Sequence, residues 1–467
     1  MRDILRGAVR RPIRLLLLAA LTALPSALAA QGDAPLPRDI ADVDAAAPAS
    51  LAAAASLGDT TLARLIERAL GDNHDLRAAA ARVDEARASR TQAALDLVPS
   101  VTAVAGYTRQ RLPMAAVPGS VDRLPARDYW DTGIEGAWEI DLFGRLRHGV
   151  QARGALIDAS QADERDVQVL VTAELSSTYM ELRGLQDRLA VATRNAENQR
   201  RTLELTQQRL DAGRGTAFDT ERARAQLATT LAAMPVLESG IAAAQQRVAV
   251  LAGLDPAVVP AGLDSAAALP ALPPAPELGR LDPIILRRGD IISAARRYAA
   301  ESAFHGAAKA EYLPRITLVG GLGVGAGDFD RLGGRGTSRF SVGPVISWPL
   351  LNLGRVHAAA DAAGARKAAA ESAYEQSLLR AAAEIRTTHA RYRSARARLG
   401  HLEEAAGASG RAAELARLRF EAGAADFLQV LDADRTLLAA HDQLAQGRAD
   451  AATAYVALFR ALGGNWP

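Results

Sequence analysis

The chain contains no cysteine. That absence excludes disulfides, thiolate metal sites, cysteine nucleophiles and a lipid-modified N-terminal cysteine. Long apolar runs are also missing. Beyond the first 30 residues no stretch of 18 consecutive apolar residues occurs, so no transmembrane helix is expected. Such a chain can span a membrane only as a β-barrel. Methionine is scarce, at 4 residues, and supports no methionine-rich copper site. The 7 histidines form neither H-x-x-x-H nor H-E-x-x-H, and no G-x-S-x-G occurs. We expect no catalytic constellation, no metal site and no cofactor: the sequence does not read as an enzyme.

Charge of one sign is lacking too. The chain carries 55 basic and 53 acidic residues. Five arginines and one aspartate fall in the first 30 residues, leaving 50 against 52. No nucleic-acid footprint results. Those five, Arg2, Arg6, Arg10, Arg11 and Arg14, precede or open the apolar run LLLLAALTAL (15–24), and Ala27-Leu28-Ala29 follows. This is the pattern of a secretory signal over 1–29 that is removed. An extended segment (30–60) comes next.

What is present is a sequence written twice. DLFGRLRHGVQA (141–152) matches LLNLGRVHAAAD (350–361), and RLDAGRG (209–215) matches RFEAGAA (419–425), both at an offset of 210. LVPSVTAVAGY (97–107) matches YLPRITLVGGL (312–322) at an offset of 215. The first repeat (61–253) reads as a helix 61–97 stopped before Pro99, strands 100–109 and 129–141, a long helix 144–211 and a helix 217–253. A Pro-rich linker (254–282) follows. The second repeat (283–462) reads as a helix 283–312, strands 315–325 and 338–350, a long helix 354–421 and a helix 427–462, before a tail 463–467. Gly213 and Gly423, after Ala212 and Ala422, stand where a helix ends in a left-handed residue.

The long helices carry a heptad seam. Val171, Leu175, Thr178, Leu182, Leu185, Leu189, Ala192 and Ala196 step by four and three. Ala381, Ile385, Thr388, Tyr392, Ala395, Leu399, Leu402 and Ala406 repeat the seam 210 residues on. Each long helix runs roughly 100 Å at 1.5 Å per residue, and its flanking helices are about half as long. A wall of long helices paired with stacked half-length ones accounts for both.

In WDTGIEGAWEID (130–141) Trp130, Ile134, Trp138 and Ile140 share one strand face, and Asp131, Glu135, Glu139 and Asp141 the other. Trp130 and Trp138 lie roughly 26 Å apart at about 3.3 Å per residue. An apolar band of about that height, edged by aromatics, is the outer face of a membrane barrel. At the 210 offset stand Phe340 and Trp348, completing an expected girdle. A surface strand of a soluble sandwich explains the alternation but not the aromatic spacing. Four strands cannot close a barrel, and open edges are not tolerated in lipid. Two chains would give eight strands and a filled interior, three would give twelve and a pore. The expected fold class is α+β, a shared barrel continued by a helical coiled-coil barrel.

WEIDLFGRLRHGVQA (138–152), SWPLLNLGRVHAA (347–359), RLDAGRGTAFDTERARAQL (209–227) and RFEAGAADFLQVLDADRTLL (419–438) resemble outer-membrane efflux proteins of the TolC type, most nearly the OprM/NodT branch. The resemblance covers essentially the whole mature chain. It implies a homotrimer with a twelve-stranded barrel in outer-membrane lipid and a periplasmic helical tunnel. It also implies docking to a periplasmic adaptor and an inner-membrane pump of RND or ABC type. Without a lipidated cysteine, attachment rests on the barrel. Where relatives have Asn-Pro-Asp, this chain has Asn73-His74-Asp75.

The resemblance further implies a gate at the helix-turn tips around Ala212-Gly213 and Ala422-Gly423. By motif match Asp432 is a ring acid, with Gln429 at the place of a second one. Asp219 and Phe420 match tip residues whose links hold the closed state. An arginine of that lock is Ala425 here, leaving Arg222 or Arg417 as substitutes. Read without the motif, Asp432 is a solvated helix face, and Asp426 is a natural N-cap. GLGVGA (321–326) mimics a dinucleotide fingerprint, but the polar glycine-rich stretch after it reads as a barrel loop. The expected function is an export duct for small molecules such as drugs. A type I protein-secretion duct and a pore-less periplasmic coiled-coil adaptor are the alternatives.

Overall fold

A computed structural model describes residues 58–111 and 125–464. The signal segment, nearly all of 30–60, the tip of the first interstrand loop and the last three residues lie outside the described residues.

The first half opens with two helices, α1 (Thr60–Asp72) and α2 (His74–Leu95), where one was expected. Asn73 breaks the run at an extended ψ of 132°. Its side-chain oxygen accepts from the Asp75 and Leu76 amides at 2.8 and 3.2 Å. Its amide nitrogen donates to the Leu251 carbonyl at 2.9 Å. An asparagine that caps one helix and also satisfies the end of another gains more by breaking the helix than by continuing it.

Strands β1 (Ser100–Gln110) and β2 (Arg127–Ile140) follow, then α3 (Arg145–Asp211) and α4 (Ala217–Leu251). Gly144 starts α3 from a left-handed φ of 81°. The orphan amides there are taken by Asp141, which accepts from Leu146 and Arg147 at 3.2 and 2.8 Å. By length and composition α4 is apolar enough to cross a membrane. It packs along α3.

In the second half the expected helix 283–312 is also broken. A single turn, α5 (Asp282–Ile285), precedes α6 (Gly289–Ala310). Arg288 holds the break. It pairs with Asp290 at 3.0 Å and Glu384 at 2.8 Å, and donates to the Ala461 carbonyl at 2.6 Å. Gly289 lies so close to α3 that a Cβ would stand 2.7 Å from the Ala162 carbonyl oxygen. Then come β3 (Arg315–Ala326), β4 (Ser338–Ser347), α7 (Leu353–Glu421) and α8 (Phe427–Ala461). Strand β4 stops three residues earlier than expected, as the chain turns at Trp348-Pro349.

Helices α2 and α4 lie along α3, while α6 and α8 lie between α3 and α7 and touch both. The seam residues Val171, Leu175, Thr178, Leu182, Ala381, Ile385, Thr388 and Tyr392 are buried. The Pro-rich linker is strapped across this wall by side chains reaching its carbonyls. Arg183 donates to Gly262 and Ser265 at 2.7 Å each, and Gln186 and Gln245 donate to Leu263 at 2.8 Å. On α7, Tyr392 and Arg396 donate to Pro273, and His389 lies 2.8 Å from the Pro276 oxygen.

The strands form one antiparallel sheet in the order β1-β2-β3-β4. Its register aligns the side chains of all four strands. Ala103, Ile134, Leu322 and Phe340 form one row across the sheet, and Gly136, Gly320 and Val342 another. Apart from Thr132 and Ser338, that face is apolar until its far end, where Arg109 and Asp128 pair at 3.7 Å. The opposite face carries Thr102, Asp131, Glu135, Glu139, Arg315, Arg339 and Ser341. GLGVGA (321–326) lies within β3 and leads into a short 3-10 turn, with no helix to receive a phosphate.

Candidate functional site: the sheet face and the hairpin ends

The aromatic residues singled out on the sheet fall into different settings. Trp130 meets Tyr107 at 4.5 Å between ring centroids and Phe329 at 5.1 Å, edge-on. Trp138 and Trp348 sit at the helix end of the sheet. Each donates its indole N–H to a carbonyl in the turn after a helix: Trp138 to Leu97 at 2.9 Å, Trp348 to Tyr312 at 3.0 Å. Indoles with an apolar body and a satisfied polar tip suit a boundary between lipid and water. Phe340 is 83% exposed but lines up through Leu322 with Ile134, in the middle of the apolar face. The structure does not set it beside Trp130. Tyr107 and Phe329 fill that place. Tyr107 was recognisable from the alternation of β1, whereas Phe329, in a polar glycine-rich loop, gave no signal.

On the polar face most charges are compensated. Asp131 lies 3.6 Å from Arg339. Glu139 accepts two hydrogen bonds from Arg145, at 3.0 and 2.7 Å. Arg145 also approaches Glu311 at 3.9 Å, and Glu311 pairs with Arg315. The Glu139 hydrogen bond is the largest influence on Arg145 and helps hold its pKa above the ordinary arginine value. This network ties β2, α3 and the start of β3 together where sheet and helices join.

At the other end, both long helices stop in the same way. Gly213 and Gly423 have φ of 68° and 71°. Arg214 N–H bonds the Arg209 carbonyl and Ala424 N–H the Arg419 carbonyl, each at 2.8 Å. Gly213 and Gly423 bond the carbonyls one residue further on, at 2.9 and 3.0 Å, completing two Schellman turns. The turns lie together. The Arg209 guanidinium, from α3, stands 3.9 Å over the ring of Phe420, from α7. Phe420 is buried with Phe427, Ala223 and Val430, its ring 5.6 Å from that of Phe427.

Apart from Ala425, the remaining candidates are not drawn into this cluster as expected. Asp219 is occupied within its own helix start. The Thr216 hydroxyl donates to its carboxylate at 2.6 Å, and its amide donates back to Thr216 at 3.2 Å. Ala425 packs against the phenylalanine cluster. Arg222 covers the exposed ring of Phe218 at 5.2 Å. Arg417 donates to Asp434 at 2.6 Å. Burial pushes the Asp434 carboxyl pKa up, and Arg417 opposes that. Asp426 occupies the N-cap position of α8, but its carboxylate caps nothing, contrary to expectation. Its backbone carbonyl takes the Gln429 amide at 3.0 Å instead. Asp426, Gln429 and Asp432 are all exposed to solvent. Sequence reasoning missed Arg209, Phe427 and Asp434. Phe420 and Phe427, seven apart across an Ala-Gly turn, were the available signal. Among the described residues no three His, Asp or Glu side chains gather as metal ligands.

Comparison with known proteins gives one answer. The family model for outer membrane efflux proteins matches residues 65–254 and 281–464. The chain is 31% identical over 408 residues to the pyoverdine export outer membrane protein OpmQ of Pseudomonas putida, covering 87% of this chain and 86% of that one. It is 31% identical over 419 residues to the outer membrane protein OprJ of Pseudomonas aeruginosa, covering 87% and 85%. The solved outer-membrane channel OprN superposes with a TM-score of 0.82 at 39% identity, over 88% of this chain and 92% of that one. The outer membrane protein VceC of Vibrio cholerae gives 0.80 at 25% identity, over 90% and 100%.

Proposed function

The chain belongs to the outer membrane efflux protein family, and we propose that it works as a homotrimeric exit duct whose periplasmic tips form a gate. It resides in the outer membrane and serves an efflux system. One observation carries the finer reading: the sheet has one apolar face, one polar face and two unpaired edges. Lipid does not tolerate open strand edges. Pairing β4 of one copy with β1 of the next closes the sheet, and three copies supply twelve strands around a polar lumen. Trp130, Trp138 and Trp348 then lie at the borders of the bilayer.

The helical wall continues the lumen into the periplasm, ending at the two Schellman turns. Ala212-Gly213 and Ala422-Gly423 offer paired knuckles to a periplasmic adaptor, through which an inner-membrane pump, RND or ABC in type, drives passage. The duct itself is passive. Exposed Asp432 is the ring acid of the gate, and three copies around an axis favour cations at the constriction. Cargo is small organic molecules, as the name of the pyoverdine-exporting relative illustrates for that protein.

Single-channel conductance in planar bilayers under KCl gradients tests both parts. Wild-type protein is expected to give a small cation-selective conductance, and Asp432→Ala to lose part of that selectivity. Unchanged selectivity in the variant removes Asp432 from the gate. No insertion by folded protein removes the duct and favours a pore-less coiled coil.

A further inference from the structure

The polar face of the sheet carries one carboxylate that the fold leaves alone. Charged side chains on this face within the strands between the helix junction and Asp131 are Asp131, Glu135, Glu139, Arg315 and Arg339. Four have partners: Asp131 with Arg339, Glu139 with Arg145, and Arg315 with Glu311. Glu135 is exposed, and among the described residues no basic side chain stands within ion-pair distance of it.

Its surroundings explain why. Glu135 lies in the row Thr102, Glu135, Gly321, Ser341. A Cβ at Gly321 would lie 3.6 Å from Glu135 Cγ and 3.7 Å from the Ser341 hydroxyl, so the carboxylate stands over bare backbone. The next row toward the far end has Gly133 and Gly323, and a Cβ on either would strike the facing carbonyl oxygen at 2.5 Å. No longer side chain is accommodated at those two positions, and the basic side chain in that row, Arg339 opposite Gly323, is engaged by Asp131 at 3.6 Å. The hydroxyls of Thr102 and Ser341 flank the carboxylate and do not neutralise it.

We infer that Glu135 is a second charge-selective element, a carboxylate ring inside the barrel that draws cations and cationic cargo toward the exit and repels anions. The inference rests on the trimeric-duct reading, which turns this face to the lumen. Three carboxylates on glycine floors project into water, where their field is long-ranged at low ionic strength and short-ranged at high. Asp131 and Glu139 cannot play this part, because each is matched by a guanidinium. The gate acid Asp432 acts in series with it, at the opposite end of the molecule.

The experiment is bilayer conductance of the full chain carrying Asp432→Ala, with and without Glu135→Gln. At about 0.05 M KCl we expect Glu135→Gln to lower the potassium-to-chloride permeability ratio about twofold, and at about 1 M, where screening acts within about 3 Å, to have no effect. An unchanged ratio at low salt, in channels that conduct normally, overturns the inference and leaves the duct standing. No channel in any variant overturns the duct and the inference together. A second measurement uses the absence of cysteine from the chain. Ser341→Cys, in the same row as an intact Glu135, provides the sole thiol, expected to react with a water-soluble, membrane-impermeant maleimide and faster with a cationic thiosulfonate than with an anionic one, a preference that Glu135→Gln removes. Labelling by lipid-soluble reagent alone overturns the inference independently of conductance.

Discussion

At the scale of single residues, the charged side chains divide into those that are solvated and those the fold has enclosed. Pairs such as Arg200 with Glu197 and Arg224 with Glu221 lie on exposed helix faces, where an ion pair contributes little. Their i,i+3 spacing made them legible in the sequence. Asp166 has similar local sequence and a different fate. It faces the start of α6, with its Cβ 3.0 Å from where a Cβ on Gly289 would be. Burial, then the Asp290 carboxylate, push its pKa up to about 6, Asp163 adds to this, and Arg288 and Arg460 oppose it. A carboxyl raised in the folded state binds more protons there than when unfolded, so this site stabilises the fold as pH falls from about 6 toward 4 and weakens it above. Asp166→Asn is therefore expected to raise the Tm at pH 8, by a stability gain of at most on the order of 2 kcal/mol, and to change nothing near pH 4. Thermal unfolding followed by circular dichroism checks both halves. No pattern around Asp166 reveals this, because all of its charged partners but Asp163 come from residues 288–290 and 460.

Elements are more legible than residues, because helix and strand boundaries are set by local chemistry. Pro99, Pro314, Gly144, Gly213 and Gly423 punctuate the chain where the structure changes direction. The α helices of the wall follow the heptad seam, and the strands follow their alternation. The two unexpected breaks share a cause that local sequence cannot carry. Asn73 is tied to Leu251 and Arg288 to Ala461, partners 178 and 173 residues away. The hairpin ends were located by their Ala-Gly turns, but the contact joining them was not. Arg209 over Phe420 crosses between hairpins without any carboxylate, and such a contact contributes about 0.5–2 kcal/mol. Arg209→Ala is expected to loosen the tips and raise the frequency of open-channel events, whereas Arg200→Ala on the exposed face of the same helix leaves them unchanged. Bilayer recordings compare the two, and equal behaviour would remove Arg209 from tip closure.

For the whole molecule, the decisive feature is incompleteness. The sheet has two free edges and an exposed apolar face, and in the proposed duct further copies of the chain cover the edges. Native mass spectrometry of detergent-solubilised protein is expected to return three copies, and a stable dimer would replace the twelve-stranded pore by an eight-stranded barrel filled with side chains. The sequence discloses this through the two-faced strands, since alternation of period two separates an apolar face from a polar one. It conceals how the linker is held, because proline carbonyls become anchors only when Arg183, Gln186, Tyr392 and Arg396 reach them from distant helices. That strap has a mechanical consequence. From Arg183 to Asp211, and from Tyr392 to Glu421, the helix lengths below the strap are both about 43 Å at 1.5 Å per residue. With the strap taken as a fulcrum, the hairpins below it are lever arms. A pivot of about 8° there sweeps each tip through about 6 Å over that length, while the sheet above the fulcrum need not move at all.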